Sequence, residues 1–201
     1  NSKEVNDQIS IEEPLEIILK YKDKENWIEN TISITMRTPG DDEDLVTGFL
    51  FNERVIEKIS HIENIVASGE PVGQYKLQNK VIITINNSEN VDIDKIKRNF
   101  LTNSSCGVCG KTSLESLEII KKDKILKSIP KIHHEIIMKS PDILKQNQSE
   151  FSKTGGIHAS GLFKDNGEII AVKEDVGRHN ALDKLIGCLL YTSDAADEED
   201  S

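Results

Sequence analysis

Two apolar runs, Leu15–Tyr21 and Trp27–Met36, are separated by only the polar stretch Lys22–Asn26. In the second run Ile28, Ile32, Ile34 and Met36 fall on one face at period two. Two strand-like runs with so short a connection suit an antiparallel hairpin, because a parallel pair needs a much longer crossover. The chain therefore commits to β-structure near its start, and whatever follows must pack against a sheet.

After this hairpin the period changes. Thr38-Pro39-Gly40 is a turn signal. Asp41, Asp42, Glu43 and Asp44 then bring negative charge to a helix N-terminus, where the backbone dipole favours it. Leu45, Phe49 and Leu50 give that helix an apolar face. Val81–Ile85 is a further β-branched strand, and Ile93–Leu101 reads as a helix with Ile93, Ile96 and Phe100 on one side. Thr112-Ser113-Leu114-Glu115 has the spacing of a capping box. Ser140-Pro141 is expected to open another helix, with proline at the first helical position. Ile157–Phe163 and Glu168–Glu174 read as strands joined through Asp165-Asn166-Gly167, and Asn180–Leu190 as a helix. Strands and helices interleave, so the class is α/β or α+β. Three parts are expected: a β-rich and helical portion over 1–102, a portion carrying the cysteine loop over 103–190, and a disordered acidic tail over 191–201.

Charge and cysteine content narrow the function. The net charge of the 201 residues is −10, so the basic face of a nucleic-acid binder is missing. Asn1–Pro14 is polar, without the apolar run of a secretion signal, and no stretch reaches the ~18 consecutive apolar residues of a membrane span. The expectation is a cytoplasmic protein without nucleic-acid or membrane partners. In a reducing compartment a close cysteine pair is redox-active, metal-binding or catalytic more often than structural.

That pair is Cys106 and Cys109, in Ser104-Ser105-Cys106-Gly107-Val108-Cys109-Gly110-Lys111. Small neighbours leave the sulfurs uncovered, and the capping box that follows places them near a helix N-terminus, which lowers thiol pKa. Lys111 adds positive charge, although an ordinary solvated lysine is the plainer reading. Zinc needs four ligands, and neither a second pair nor a His-x-Glu with Pro-Cys-x-x-Cys is present, so no metal is expected. A thioredoxin-like dithiol fits the spacing, but here a helix-like segment precedes the pair. A sulfur relay through a cysteine persulfide also fits. Incidental cysteines in a surface turn complete the alternatives. Cys188, in an apolar helix beside Leu189 and Leu190, reads as an inert core thiol.

Five segments then appear in one order: Arg37-Thr38-Pro39-Gly40, Asp44-Leu45-Val46-Thr47-Gly48-Phe49-Leu50, Cys106-Gly107-Val108-Cys109-Gly110, Thr154-Gly155-Gly156-Ile157-His158-Ala159, and Glu174-Asp175-Val176-Gly177-Arg178-His179-Asn180-Ala181-Leu182-Asp183-Lys184. Together they resemble the formate dehydrogenase accessory sulfurtransferase family, FdhD, over Ile17–Gly187. The resemblance implies a cytidine deaminase-like fold, a mixed sheet flanked by helices, without the zinc machinery. It implies a sulfurtransferase that accepts sulfane sulfur from a cysteine desulfurase and delivers it to the molybdenum cofactor, bis-molybdopterin guanine dinucleotide, for formate dehydrogenase. The persulfide carrier falls on Cys106, and Cys109 assists or resolves it. A homodimer is implied by resemblance alone. Family members continue past the last segment into a glycine-rich basic portion implicated in holding the guanine dinucleotide, so this chain is expected to lack that portion. A cofactor-binding chaperone with dispensable thiols and a dithiol oxidoreductase are the competing functions.

His158, Asp175, Arg178 and His179 are the candidate cofactor-binding residues. Arg178 suits a phosphate in bidentate fashion, helped by the start of the following helix. A purely structural turn with an Asp175–Arg178 pair is the plainer alternative. His158, between Gly156 and Ser160, is placed to face a cleft or to be an ordinary satisfied histidine. His133-His134 reads as a strand-edge pair.

Overall fold

The computed structural model describes residues 6–73, 75–86 and 131–199. Cys106, Cys109, Lys111, the 93–101 helix and the Thr112–Glu115 capping box lie outside the described residues, as does the expected 102/103 boundary. Six strands and four α-helices are described. They fall in two compact units, one of Pro14–Thr35 and Glu53–Lys131, the other of Asn1–Glu13, Met36–Asn52 and Ile132–Ser201. Residues 6–13 thus group with the last third of the chain.

The first unit carries a four-stranded mixed sheet in the order β2-β1-β4-β3. Its strands are β1 (Glu13–Asp23), β2 (Asn26–Arg37), β3 (Ile62–Ser68) and β4 (Lys80–Ile85). β1 runs parallel to β4, with Ile17 opposite Val81 and Leu19 opposite Ile83, and β3 runs antiparallel to β4. Leu15, Ile17, Leu19 and Tyr21 are buried, as are Val81, Ile83 and Ile85, so period two puts one continuous apolar face on neighbouring strands. Both strands of the hairpin extend further than the sequence suggests. They leave a turn of Lys24 and Glu25 in place of a loop over Lys22–Asn26, and Lys24 takes a left-handed φ of 56°.

β2 does not keep one face. Ile32 is buried, but Ile34 and Met36 are 59% and 47% exposed, while Arg37 is buried. The inward parity shifts by one residue past Ile32 because Arg37 is drawn in by Asp42. Its Nε donates to Asp42 Oδ1 and its second terminal nitrogen to Oδ2, both at 2.9 Å, and the remaining nitrogen donates to the Glu13 carbonyl. A bidentate guanidinium–carboxylate pair is strong enough to decide which side of a strand goes inward.

The second unit is built on the antiparallel hairpin β5 (His158–Phe163) and β6 (Ile169–Asp175). Its turn is the expected one. Gly167 has φ 88°, Lys164 N–H and the Glu168 carbonyl pair at 2.8 Å, and Asn166 Oδ1 accepts from Glu168 N–H. Helices α1 (Asp42–Asn52) and α4 (Arg178–Glu199) pack together, and α4 lies along both strands. Helix α2 (His134–Gln146) meets the hairpin through Leu144 at Gly161 and Ile136 at Gly167, and α3 (Ser149–Thr154) follows it.

Three expectations are corrected here. Pro141 does not open a helix; it sits inside α2, where it has no N–H to offer the Ile137 carbonyl. The hydroxyl of Ser140 donates to that carbonyl instead, at 2.9 Å, and the helix passes through. His133 and His134 are not a strand edge: they stand at the start of α2, exposed, with ring centroids 4.5 Å apart. Helix α4 does not end at Leu190 but runs on to Glu199, through most of the segment expected to be disordered. Among the described residues no helix is long and apolar enough to cross a membrane.

Candidate functional site

β6 ends on two successive carboxylates, which strand alternation sends to opposite faces. Glu174 takes the N-terminus of α3. Its Oε2 accepts from Glu150 N–H at 2.9 Å and from the Ser149 hydroxyl at 3.3 Å, and its Oε1 accepts from Phe151 N–H at 2.9 Å. Those N–H groups have no partner within the helix, so an outside carboxylate meets both the hydrogen-bonding and the dipole requirement. α3 closes on Gly155, at φ 66°, and releases the chain into Gly156-Ile157-His158.

Asp175 works on the other face. It is fully buried, and both oxygens are engaged. Oδ1 accepts from Gly177 N–H at 2.8 Å and Asn180 Nδ2 at 3.1 Å; Oδ2 accepts from Thr38 N–H at 3.1 Å and pairs with Lys184 Nζ at 2.8 Å. Lys184 is also buried and donates to the Thr38 carbonyl at 2.8 Å. The Thr38 hydroxyl accepts from Val176 N–H, and Asn180 Nδ2 reaches the Met36 carbonyl. Three segments, Met36–Thr38, Asp175–Gly177 and Asn180–Lys184, are thus knotted around one ion pair. Asp175 pairs with Lys184 and not with Arg178, so its part is to hold the turn.

The other candidates lie on the outside of the same turn. Arg178 and His179 open α4 and are exposed. His158 begins β5 directly opposite Asp175 in the hairpin register, and it too is exposed. Arg178, His179 and His158 are thus exposed residues near one end of the hairpin, close in the chain or in register to the buried Asp175, and guanidinium and imidazole are groups that bind oxyanions.

Two residues earlier on β6, Lys173 bridges Asp44 at 2.7 Å and Asp41 at 3.1 Å. Burial alone lowers its ammonium pKa, but the hydrogen bonds to Asp44 and Asp41 outweigh it and hold the pKa above the ordinary lysine value. Tyr191 of α4 meets the Thr47 hydroxyl of α1 at 3.2 Å. Burial raises its pKa, the bond to Thr47 opposes this, and the nearby Glu43 and Asp44 add to the rise. Cys188 is a free thiol of intermediate burial on the same helix.

Thr38, Asn180 and Lys184 are the members of this cluster that sequence reasoning did not single out. The signal for Lys184 was present. It shares the helix stripe of Ala181, Leu185 and Cys188, and a lysine on such a stripe calls for a buried partner.

The sequence profile of the FdhD/NarQ family matches residues 10–199. The chain belongs to the FdhD/NarQ family. It is 45% identical over 188 residues to the sulfur carrier protein FdhD of Picrophilus torridus, covering 94% of this chain and 66% of that one. It is 40% identical over 190 residues to the sulfur carrier protein FdhD of Streptomyces coelicolor (94% and 64%), and 38% identical over 185 residues to that of Sulfolobus acidocaldarius (92% and 63%). The chain therefore spans a little under two thirds of the length of these family members. Its fold is similar to the crystal structure of a proposed formate dehydrogenase accessory protein from Desulfotalea psychrophila, with a TM-score of 0.59 at 24% identity, over 94% of this chain and 63% of that one. The mixed α/β class expected from the family resemblance is the class observed.

Proposed function

We propose that this chain is a cytoplasmic sulfur carrier that takes sulfane sulfur from a cysteine desulfurase onto Cys106 and passes it to the molybdenum cofactor destined for formate dehydrogenase. The observation that carries this reading is Cys106-Gly107-Val108-Cys109-Gly110 in a chain 38–45% identical to proteins named sulfur carriers. The thiolate of Cys106 attacks the outer sulfur of the desulfurase persulfide. A new S–S bond forms at Cys106 as the old one breaks, and the desulfurase cysteine leaves as thiolate, so this step involves no net redox change.

Release needs two electrons. The Cys109 thiolate attacks the Cys106 sulfur, hydrosulfide leaves toward the cofactor, and a Cys106–Cys109 disulfide remains. A dithiol reductant of the cell then restores the pair. We assign the guanidinium of Arg178, with His179 and His158, to the phosphates of the guanine dinucleotide that the cofactor carries. Asp175 serves that assignment from beneath.

The test is maturation of formate dehydrogenase in cells deprived of their own carrier. The wild-type chain restores formate oxidation, and Cys106→Ala does not. Full restoration by Cys106→Ala/Cys109→Ala overturns the reading in favour of a chaperone.

A further inference from the structure

The buried pair of Lys184 and Asp175 does more than close a helix onto a hairpin. Burying an ion pair seldom stabilises a fold more than well-packed apolar groups of the same size do; what it supplies is a defined geometry. Here that geometry runs through named atoms. Lys184 Nζ spans Asp175 and the Thr38 carbonyl, Asp175 holds the N–H groups of Thr38 and Gly177, and the Thr38 hydroxyl holds that of Val176. Gly177 packs closely on this cluster: a Cβ there would sit 2.9 Å from Asn180 Nδ2. Val176 and Gly177 are the two residues that lead into Arg178, so the start of α4 is fixed from below at consecutive positions.

From this we infer that Lys184 and Asp175 are positioning residues, which set where Arg178 and His179 stand relative to His158 across the hairpin. The inference rests on the assignment of those three residues to a phosphate-bearing ligand. Neither Lys184 nor Asp175 touches the ligand; both act through the Val176–Arg178 turn.

The test compares GDP binding by the full chain with that of Asp175→Leu/Lys184→Met, in which apolar side chains replace both charges. Circular dichroism and the thermal midpoint report the fold. Retained fold with GDP affinity lowered about tenfold is the expected result, since loss of orientation at a bidentate contact costs affinity without loss of a contact residue. Arg178→Ala then costs little further in that background while costing about tenfold alone. A folded double variant that binds GDP as tightly as wild type overturns the inference. Thr38→Val keeps the ion pair but drops the acceptor for Val176 N–H, and it serves if the double variant does not fold. A weakened GDP affinity supports the inference, and an unchanged one overturns it. Wild-type chain that binds neither GDP nor pyrophosphate sinks the ligand assignment itself, and the positioning role with it.

Discussion

Gly48 of α1 and Gly187 of α4 lie reciprocally against each other's helix backbone. A Cβ on Gly48 would overlap the Asp183 carbonyl, and one on Gly187 would overlap the Asp44 carbonyl. Each carbonyl belongs to the residue four positions before the opposite glycine, so the same Asp-x-x-x-Gly spacing occurs on both helices. Glycine is used twice here for close approach, as it is wherever two helix backbones must nearly touch.

Alanine at either position forces the helices apart at a backbone contact that cannot yield by a rotamer change. Gly48→Ala and Gly187→Ala are each expected to cost about 3 kcal/mol, a fall in thermal midpoint of roughly 10 °C. Gly156→Ala is the control, because a Cβ there meets only the Thr154 carbonyl at 3.9 Å. Differential scanning calorimetry checks it. A Gly48→Ala protein that melts with the wild type contradicts the packing.

Ser140 and Pro141 form a compensated pair in α2. Removing the hydroxyl by Ser140→Ala leaves the Ile137 carbonyl without its donor and is expected to destabilise by about 1 kcal/mol. Pro141→Ala restores the backbone donor and stabilises. In the Pro141→Ala background Ser140→Ala then becomes neutral. Additive effects in this cycle would mean that the hydroxyl does not stand in for the missing N–H.

Much of this fold was legible in the sequence because local signals agreed with it. Apolar and β-branched runs marked β1 and β4, the acidic run marked the start of α1, and Asp-Asn-Gly marked the β5–β6 turn. What was not legible depended on partners far along the chain. The parity shift at Ile34 and Met36 needs Arg37 to find Asp42. Pro141 reads as a helix start until the Ser140 hydroxyl is seen on the Ile137 carbonyl. The run of α4 past Leu190 follows from cooperativity: extending a formed helix through Ala195-Ala196 and Glu198-Glu199 costs far less than nucleating one, and needs no apolar stripe. At the site, Arg178 and His179 stood out by type, while the Asp175–Lys184 bond joins residues nine positions apart in different elements.

Stability should fall at both ends of the pH scale for separate reasons. Lys173 and Tyr191 have pKa values raised above their ordinary 10.5 and 10.0. A raised pKa means the native state holds the proton more tightly, so their contribution is complete below about pH 10 and is lost as pH rises through the native values. Glu16 is the reverse. The hydrogen bond from Lys80, then that from Thr31, lowers its pKa below 4.5, so its contribution is present above that value and lost as pH falls through the native one. Denaturant midpoints from pH 3 to pH 11 test this, with Lys173→Met expected to flatten the alkaline fall and leave the acid one unchanged. An alkaline fall as steep in Lys173→Met as in the wild type contradicts the assignment.

Whether sulfur rides on Cys106 is read directly by intact-mass spectrometry. The chain is incubated with a cysteine desulfurase and cysteine, then weighed before and after a reductant. The expected result is a gain of ~32 Da, one sulfur atom, that the reductant removes and that Cys106→Ala does not show. A folded wild-type chain that gains no mass, or a Cys106→Ala chain that gains the same mass, contradicts it.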